Sequence, residues 1–233
     1  MKKILYSTIT FIITFSNQSF ADETSLYDFK WLDDGEKVYV IQNKEYIKSG
    51  RLGVDFSIID SASSPFQDTT GFLGSITYYF NERWSLDLTY KQYSNQDSGD
   101  LNSLLNQIGN GIKPIIRKID SAALIHLNWI PFYGKINTFN QIFFFDWGFG
   151  FGLGQYDTQG NWQTFDDADV GLVYEKSQDP GFNFRSYVKF YTGSDMTFGA
   201  EYNLSGVNTI KDPNGKEDIL YLADILVTVG YIF

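Results

Sequence analysis

Hydrophobic and polar residues alternate with a period of two along most of the chain from Ile47 to the C-terminal Phe233. Successive side chains of a β-strand point to opposite faces, so this period indicates strands with one apolar and one polar face. Each stretch is close to the 9–11 residues that a tilted strand needs to cross a bilayer. The eight predicted strands cover residues 47–59, 70–80, 84–94, 119–130, 141–155, 182–192, 196–205 and 219–233.

The connections between these stretches alternate in length. Short links are expected at 81–83, 131–140 and 193–195, and longer loops at 60–69, 95–118, 156–181 and 206–218, with a short helix over Gly99–Gln107. An even number of antiparallel strands with short turns at one end and long loops at the other is typical of outer-membrane barrels. The sequence therefore predicts an all-β fold, an eight-stranded antiparallel up-and-down transmembrane β-barrel.

Aromatic residues indicate which face of the strands points outward. A soluble, lipocalin-like barrel with an apolar lumen has the same period, so the period alone leaves both alternatives open. Aromatic rings on the apolar face fall near both strand ends and flank aliphatic residues, as expected at the two interfaces of a bilayer. The ring at the short-turn end comprises Phe80, Trp84, Trp129, Phe143, Phe190, Phe198, Tyr231 and Phe233, and the ring at the loop end comprises Phe56, Phe72, Tyr90, Phe151, Phe182 and Tyr202.

The N-terminus has the form of a signal peptide. Lys2 and Lys3 precede an apolar run from Ile4 to Phe15, and Ser19-Phe20-Ala21 is a small-x-small cleavage site. We expect cleavage after Ala21; an uncleaved membrane anchor is the less favoured alternative. Residues 1–21 are then the signal peptide, 22–46 a periplasmic N-terminal segment and 47–233 the barrel, located in the outer membrane of a Gram-negative envelope.

The last strand ends in Val227-Thr228-Val229-Gly230-Tyr231-Ile232-Phe233. A terminal Phe233 with Tyr231 two positions earlier is similar to the C-terminal signal that the barrel assembly machinery of the outer membrane reads. An ordinary final strand would show the same alternation. We expect the assembly machinery to be a partner, with outer-membrane lipid or lipopolysaccharide around the barrel.

Composition narrows the remaining classes of function. The mean hydropathy of −0.22 in a chain with 43% hydrophobic residues fits strands of which one face is polar. The formal charge is −10, and loss of Lys2 and Lys3 would leave 16 basic against 28 acidic residues, or −12, so nucleic acid is not an expected partner. The chain has no cysteine and one histidine, and its acidic loops match no calcium motif, so no metal or other cofactor is expected.

Charged residues on the polar strand faces are expected to meet inside the barrel. The interior of an eight-stranded barrel is just wide enough for side chains to fill it, and an unpaired charge there would cost several kcal/mol. We therefore predict a salt-bridged plug; a narrow gated channel or transporter for small solutes is the alternative. The predicted lumen network comprises Arg51, Asp55, Asp87, Lys91, His126, Asp146, Arg185, Lys189, Glu201 and Asp224.

Two further readings concern the same polar face. Glycines 148, 150, 152 and 154 alternate with aromatic residues on the fifth strand, which makes room either for large side chains opposite or for a small ligand. His126 is the only candidate base for a lipid A-modifying enzyme, but no serine lies two residues away, and no catalytic residue is predicted. The expected protein is not an enzyme.

Several segments together resemble a known family, the small outer-membrane β-barrel domain proteins of myxobacteria-like and bdellovibrio-like Gram-negative bacteria. These segments are Val38-Tyr39-Val40-Ile41-Gln42-Asn43-Lys44, Lys48-Ser49-Gly50-Arg51, Gly71 to Tyr78-Tyr79-Phe80-Asn81-Glu82, Pro131-Phe132-Tyr133-Gly134-Lys135 and Phe145-Asp146. The resemblance implies an eight-stranded barrel of the OmpA or OmpX type and implies no activity. The expected role is structural, or one of surface interaction through the long extracellular loops with a partner that the sequence does not identify.

Overall fold

The computed structural model describes residues 44–64, 66–108, 114–138, 141–162, 173–193, 195–210 and 214–233. The predicted signal peptide and residues 22–43 of the predicted periplasmic segment lie outside this part of the chain. Within the described residues, no helix is both long enough and apolar enough to cross a membrane.

Eight antiparallel strands form one closed barrel in which each strand pairs with its sequence neighbours and β8 pairs with β1. The strands are β1 (Leu52–Ser64), β2 (Gln67–Tyr79), β3 (Trp84–Asp97), β4 (Arg117–Thr138), β5 (Gln141–Gly160), β6 (Glu175–Tyr191), β7 (Met196–Ile210) and β8 (Glu217–Ile232). One helix, α1 (Gly99–Ile108), lies between β3 and β4 and confirms the helix predicted there. The predicted fold class of an eight-stranded up-and-down barrel is correct.

The register of the strands sets the width and tilt of the barrel. Registered partners can be followed once around it from Leu52 through Tyr78, Leu86, Leu127, Phe151, Phe184, Leu204 and Ala223 to Ala62. The path returns to β1 ten residues beyond its start. A stagger of this size in eight strands tilts them by about 40° from the barrel axis. The interior of such a barrel is narrow, so inward side chains from opposite walls meet.

Exposure alternates along most of the length of the strands, with the apolar face outside. On β1, Val54, Phe56 and Ile58 are exposed and Asp55, Ser57 and Ile59 are buried. Outward positions on β5 are apolar from Phe145 to Leu153 and become polar at Gln155, which at a tilt of about 40° makes an apolar band about 20 Å tall. Outward positions also become polar at Asp60, Thr70 and Gln92. An apolar band of this height on the outside is the exterior of a membrane-spanning barrel.

The boundaries of β1 differ from the prediction. We expected a strand over 47–59 and a loop over 60–69, but β1 begins at Leu52 and only residues 65 and 66 separate β1 from β2. Gly50 has a φ of 77°, and its N–H donates to the carbonyl of Tyr79 at 2.8 Å. The chain turns there because glycine adopts positive φ without steric cost, so residues 47–51 lie outside the strand.

The predicted link over 131–140 is largely strand. Beyond Trp129, β4 pairs with β5 alone, and the two strands form a hairpin that continues to residues 138 and 141. Pro131 has no N–H to donate, and the register shifts between Trp129 and Phe132. This bulge lets both Trp129 and Phe132 face outward although they are an odd number of positions, three, apart in the sequence.

The strands at the loop end are longer than predicted. β5 continues to Gly160 and β6 begins at Glu175, which reduces the predicted loop over 156–181 to residues 161–174. The extra strand residues carry inward hydrogen bonds, such as that from the hydroxyl of Thr158 to Asp179. Hydrogen bonds between lumen-facing polar residues therefore extend the strands beyond the residues whose hydropathy predicted a strand.

Candidate functional site in the barrel lumen

The short-turn end of the lumen is closed by residues 44–51, which we call the basal plug. Tyr46 stacks on Tyr191 with ring centroids 5.1 Å apart and meets Phe144 edge-on at 5.7 Å. Lys48, with a side chain 1% exposed, forms an ion pair with Asp146, and Tyr191 donates its hydroxyl hydrogen bond to the same carboxylate. The plug therefore ends in a fully desolvated charge pair inside the barrel.

Glu82, in the turn between β2 and β3, holds the basal plug from the outside. One carboxylate oxygen accepts the backbone N–H groups of Lys48 and Ser49, each at 2.9 Å, and the other lies 3.3 Å from Nζ of Lys44. Burial alone would raise the pKa of Glu82, but these hydrogen bonds favour the charged form and lower the pKa below its ordinary value. The plug thus depends on an ionised carboxylate.

A network of buried charges occupies the middle of the lumen. Arg185 pairs with Asp87 and donates Nε–H to Oδ1 of Asn128 at 2.9 Å, while its Nη1 lies 3.8 Å from Glu201. Nearer the basal plug, Nζ of Lys189 lies 2.8 and 2.9 Å from the two carboxylate oxygens of Asp55. Since these groups are buried, each charge requires its partner.

His126 is part of the same buried layer but has only neutral partners. Its Nε2 lies 2.8 Å from Oδ1 of Asn183, and its Nδ1 lies 3.3 Å from Oγ1 of Thr89. The ring is 1% exposed and faces the lumen, away from the surface where a lipid substrate would lie. Its position suits a structural role better than that of a general base.

The glycines of β5 make room for this network. A Cβ at Gly150 would lie 2.3 Å from Oδ1 of Asn128, and a Cβ at Gly152 would lie 2.4 Å from Cδ2 of His126. Gly148 is likewise filled by the ring of Tyr187. Of the two readings left open above, large side chains therefore fill the space opposite these three glycines.

An apolar layer lies beyond the charged network, towards the loops. On β4 the inward residues run Ile130, Asn128, His126 and then Leu124 and Ala122, so that the polar middle is followed by apolar side chains. Eleven buried residues from several strands make up this layer: Ile59, Leu73, Tyr93, Ile119, Ala122, Leu124, Tyr156, Val207, Leu220, Leu222 and Leu226. Unpaired ions and water are costly to place in a mainly apolar section of this kind.

One ion pair is embedded in the apolar layer. Asp224, fully buried between the inward Leu222 and Leu226, lies 3.0 Å from Nζ of Lys91. It also accepts hydrogen bonds from the hydroxyls of Tyr93 and Ser61, both at 2.7 Å. Donors on β1 and β3 therefore satisfy this carboxylate of β8, and the group links the three strands inside the lumen.

Little free volume remains between the charged groups of the lumen. The cavity between the charged groups, lined among others by Asp55, Asp87 and Arg185, has a volume of about 20 Å³, enough for about one water molecule. At the loop end, Leu101 of α1, Ile116 and Trp162 are also buried. In the part of the chain that the structure describes, side chains therefore occupy the lumen at the basal plug, in the charged network and in the apolar layer.

The structure places nine of the ten residues of the predicted network in the lumen. These are Asp55, Asp87, Lys91, His126, Asp146, Arg185, Lys189, Glu201 and Asp224. Arg51 is different: it precedes β1 and lies at the short-turn rim, where it donates to Asp195 at 2.9 Å and to the carbonyl of Phe233 at 2.8 Å. Its place inside is taken by Lys48, which the sequence did not reveal because it follows no strand periodicity.

Most residues of the predicted short-turn aromatic ring face outward. Phe80, Trp84, Trp129, Phe198, Tyr231 and Phe233 are exposed, and Phe190 is half-buried between Phe145 and Phe198, with centroids 5.6 and 5.3 Å away. Phe143 lies in the hairpin of β4 and β5 beyond the barrel wall. Of the residues predicted for the loop-end ring, Phe56, Phe72, Tyr90, Phe151 and Tyr202 are exposed and Phe182 is half-buried.

Comparisons with known proteins give similar folds among the solved structures. No protein-family model and no curated protein matches the chain. The N-terminal β-barrel domain of Pseudomonas aeruginosa OprF is 14% identical, with 78% of this chain and 98% of that one covered and a TM-score of 0.42. Neisserial surface protein A is 12% identical over 78% and 96%, with a TM-score of 0.44, and Ail of Yersinia pestis is 12% identical over 79% and 99%, with a TM-score of 0.41. The resemblance to myxobacterial and bdellovibrio barrels stays a prediction.

Among the described residues, no group of three or more His, Asp or Glu side chains is placed to hold a metal ion.

Proposed function

We propose that the chain is an integral outer-membrane β-barrel protein that does not conduct solutes and acts structurally, or through its loops on the cell surface. The observation that supports this function most is the sealed lumen within an apolar exterior. The basal plug, the charged network and the apolar layer follow one another along the axis, and the cavity among the charged groups has space for about one water molecule.

A narrow gated channel is the second candidate. Four buried cations, Lys48, Lys91, Arg185 and Lys189, face five carboxylates, Asp55, Asp87, Asp146, Glu201 and Asp224. Glu201 is held least firmly, 3.8 Å from Arg185. A surplus carboxylate would attract a cation if the pairs rearranged, but the apolar layer would have to open as well. A lipid A-modifying role has less support, because His126 is buried among neutral partners.

The membrane location is tested by a charge on the outer face at two depths. Val227 is 65% exposed near the middle of the apolar band, so Val227→Arg should lower the free energy of unfolding in vesicles by about 2–4 kcal/mol. The matched substitution Thr70→Arg, at the polar edge of the band, should cost about 0–1 kcal/mol.

Equal and small effects of the two substitutions would contradict the proposal, because a charge on the water-exposed face of a soluble barrel costs little at any height. The same preparations should show heat-modifiable gel mobility and require detergent for extraction from the membrane fraction. Release without detergent would also contradict it.

A further inference from the structure

The cavity between the charged groups of the lumen has an excess of negative charge on its walls. Its lining includes three carboxylates, Asp55, Asp87 and Glu201, and two cations, Arg185 and Lys189. All five side chains are largely withdrawn from solvent. A net charge in such a place is costly, because burial removes the water that would otherwise solvate it. The cavity is therefore short of one positive charge.

Two of the three carboxylates are fully occupied by protein donors. The two oxygens of Asp55 lie 2.9 and 2.8 Å from Nζ of Lys189. One oxygen of Asp87 pairs with Arg185, and the other accepts a hydrogen bond from Nδ2 of Asn128 at 2.7 Å. These two pairs use both cations of the cavity, so the third carboxylate is left over.

Glu201 is the carboxylate that remains. Its side chain is 9% exposed, and its Oε1 accepts no hydrogen bond from any residue that the structure describes. Nη1 of Arg185 lies 3.8 Å away, which is beyond hydrogen-bond distance. A buried carboxylate oxygen without a donor is unfavourable, so the surroundings of Glu201 favour the binding of a positive charge.

The remaining polar wall of the cavity consists of neutral oxygen atoms. The hydroxyl of Thr77 is buried and likewise has no hydrogen-bond partner within the described ranges. Hydroxyl oxygens carry lone pairs that can coordinate a cation. The cavity has a volume of about 20 Å³, enough for one particle of the size of water, and a dehydrated sodium ion is of similar size. The hydroxyls on the wall belong to Ser57, Ser75, Thr77, Ser85 and Thr228.

We propose that this cavity binds one sodium ion, held by Oε1 of Glu201, the hydroxyl oxygen of Thr77 and the other hydroxyls of the wall. With the ion bound, three positive charges balance the three carboxylates. A monovalent ion suits the cavity better than Mg²⁺ or Ca²⁺, which prefer several carboxylate ligands or retained water, because only the carboxylate of Glu201 is free of the two ion pairs. The inference rests on the proposed sealed lumen. Binding leaves the ion pairs and the apolar layer in place, so it does not imply conduction.

Urea unfolding of the barrel in vesicles at neutral pH, in mixtures of sodium chloride and choline chloride, tests the site. A constant ionic strength keeps the screening of all other charges unchanged. Sodium that binds only the folded state shifts the equilibrium towards that state. For a dissociation constant of about 10 mM, an increase in sodium from about 1 to about 100 mM should raise the ratio of folded to unfolded protein about ten-fold.

Four variants locate the ion. Glu201→Gln should remove the dependence on sodium, whereas Glu217→Gln, at an exposed position at the start of β8, should keep it. Thr77→Val should weaken the dependence, and Thr197→Val should not. The hydroxyl of Thr197 is also buried and, in the described part of the chain, without a partner, but Thr197 does not line the cavity.

Equal stability in sodium and in choline would overturn the site, because a proton on Glu201 or a water molecule would then take the place of the ion. An unchanged sodium dependence of Glu201→Gln would also overturn it. Heat-modifiable mobility shows separately whether each variant is folded. If Glu201→Gln does not fold, Thr77→Val and Thr197→Val decide, and equal sodium dependence of these two would refute the site. A folded, detergent-requiring barrel whose stability is independent of sodium would leave the proposed membrane location standing.

Discussion

A buried charge in the lumen is stabilising only when all of its partners are present. Arg185 faces Asp87, Asn128 and Glu201 inside the barrel, and Asp224 has three donors around one carboxylate. Loss of one partner leaves the other charge desolvated, which costs more than the pair contributes. The stability of the network is therefore sensitive to the substitution of a single residue.

Arg185→Met should lower the free energy of unfolding by about 3–5 kcal/mol, because Asp87 and Glu201 would remain buried without their cation. Arg83→Met, at an exposed position in the turn between β2 and β3, should change it by less than about 0.5 kcal/mol. Urea unfolding of the two variants in the same vesicles measures the difference. Similar small effects would mean that the lumen is hydrated and the pairs are screened.

Acid should release the basal plug before the barrel unfolds. The pKa of Glu82 is lowered in the folded protein, so its contribution is complete above the unfolded value near 4.5 and disappears as the pH falls through the folded value. The protection factors of the Lys48 and Ser49 amides against hydrogen exchange should fall below about pH 4.5. Glu82→Gln should show fast exchange already at neutral pH; slow exchange in that variant would disprove the role of the carboxylate.

At the scale of the element, the small inward residues of β5 leave room for large side chains of the neighbouring strands. Its outward side chains include Phe145, Trp147, Phe149 and Phe151, whereas its inward positions include glycines that approach side chains of β4 and β6. The sequence shows the alternation of aromatic residues and glycines on β5. The side chain that lies opposite each glycine depends on the register between strands, which the sequence pattern does not specify.

Gly152→Ala should destabilise the barrel by about 1–3 kcal/mol through overpacking. The new Cβ would lie 2.4 Å from the ring of His126, which Asn183 and Thr89 hold in place. Gly74→Ala, on the outer face with open space around it, should be neutral or stabilising by up to about 1 kcal/mol. Comparison of the two unfolding free energies checks the fit, and equal effects would argue against a packed lumen.

The sequence predicted the element types well and their ends less well. Alternation identified all eight strands because each has one apolar face. The predicted β1 began too early in the sequence and the predicted β6 began too late. Polar strand ends such as those at Ser64 and Glu175 lack the apolar face on which the pattern depends. The basal plug was missed for a related reason, since Lys48 is buried by tertiary contacts of a segment without regular structure.

At the scale of the whole molecule, three sections of the lumen close the barrel in different ways. Aromatic rings and Lys48 close the short-turn end, ion pairs fill the middle, and the apolar layer separates them from the loops. The charged section was predictable from polar residues in phase on the strands. The apolar layer was also in the sequence, as inward Leu73, Leu124 and Leu226, but only the register shows that these residues meet at one level.

Conductance of the purified, folded protein in planar bilayers tests the sealed lumen most directly. We expect no steady conductance above the bare-membrane baseline, because ions would have to cross both the paired charges and the apolar layer. A reproducible open state of hundreds of picosiemens from correctly folded protein would contradict the sealed lumen and favour the gated channel.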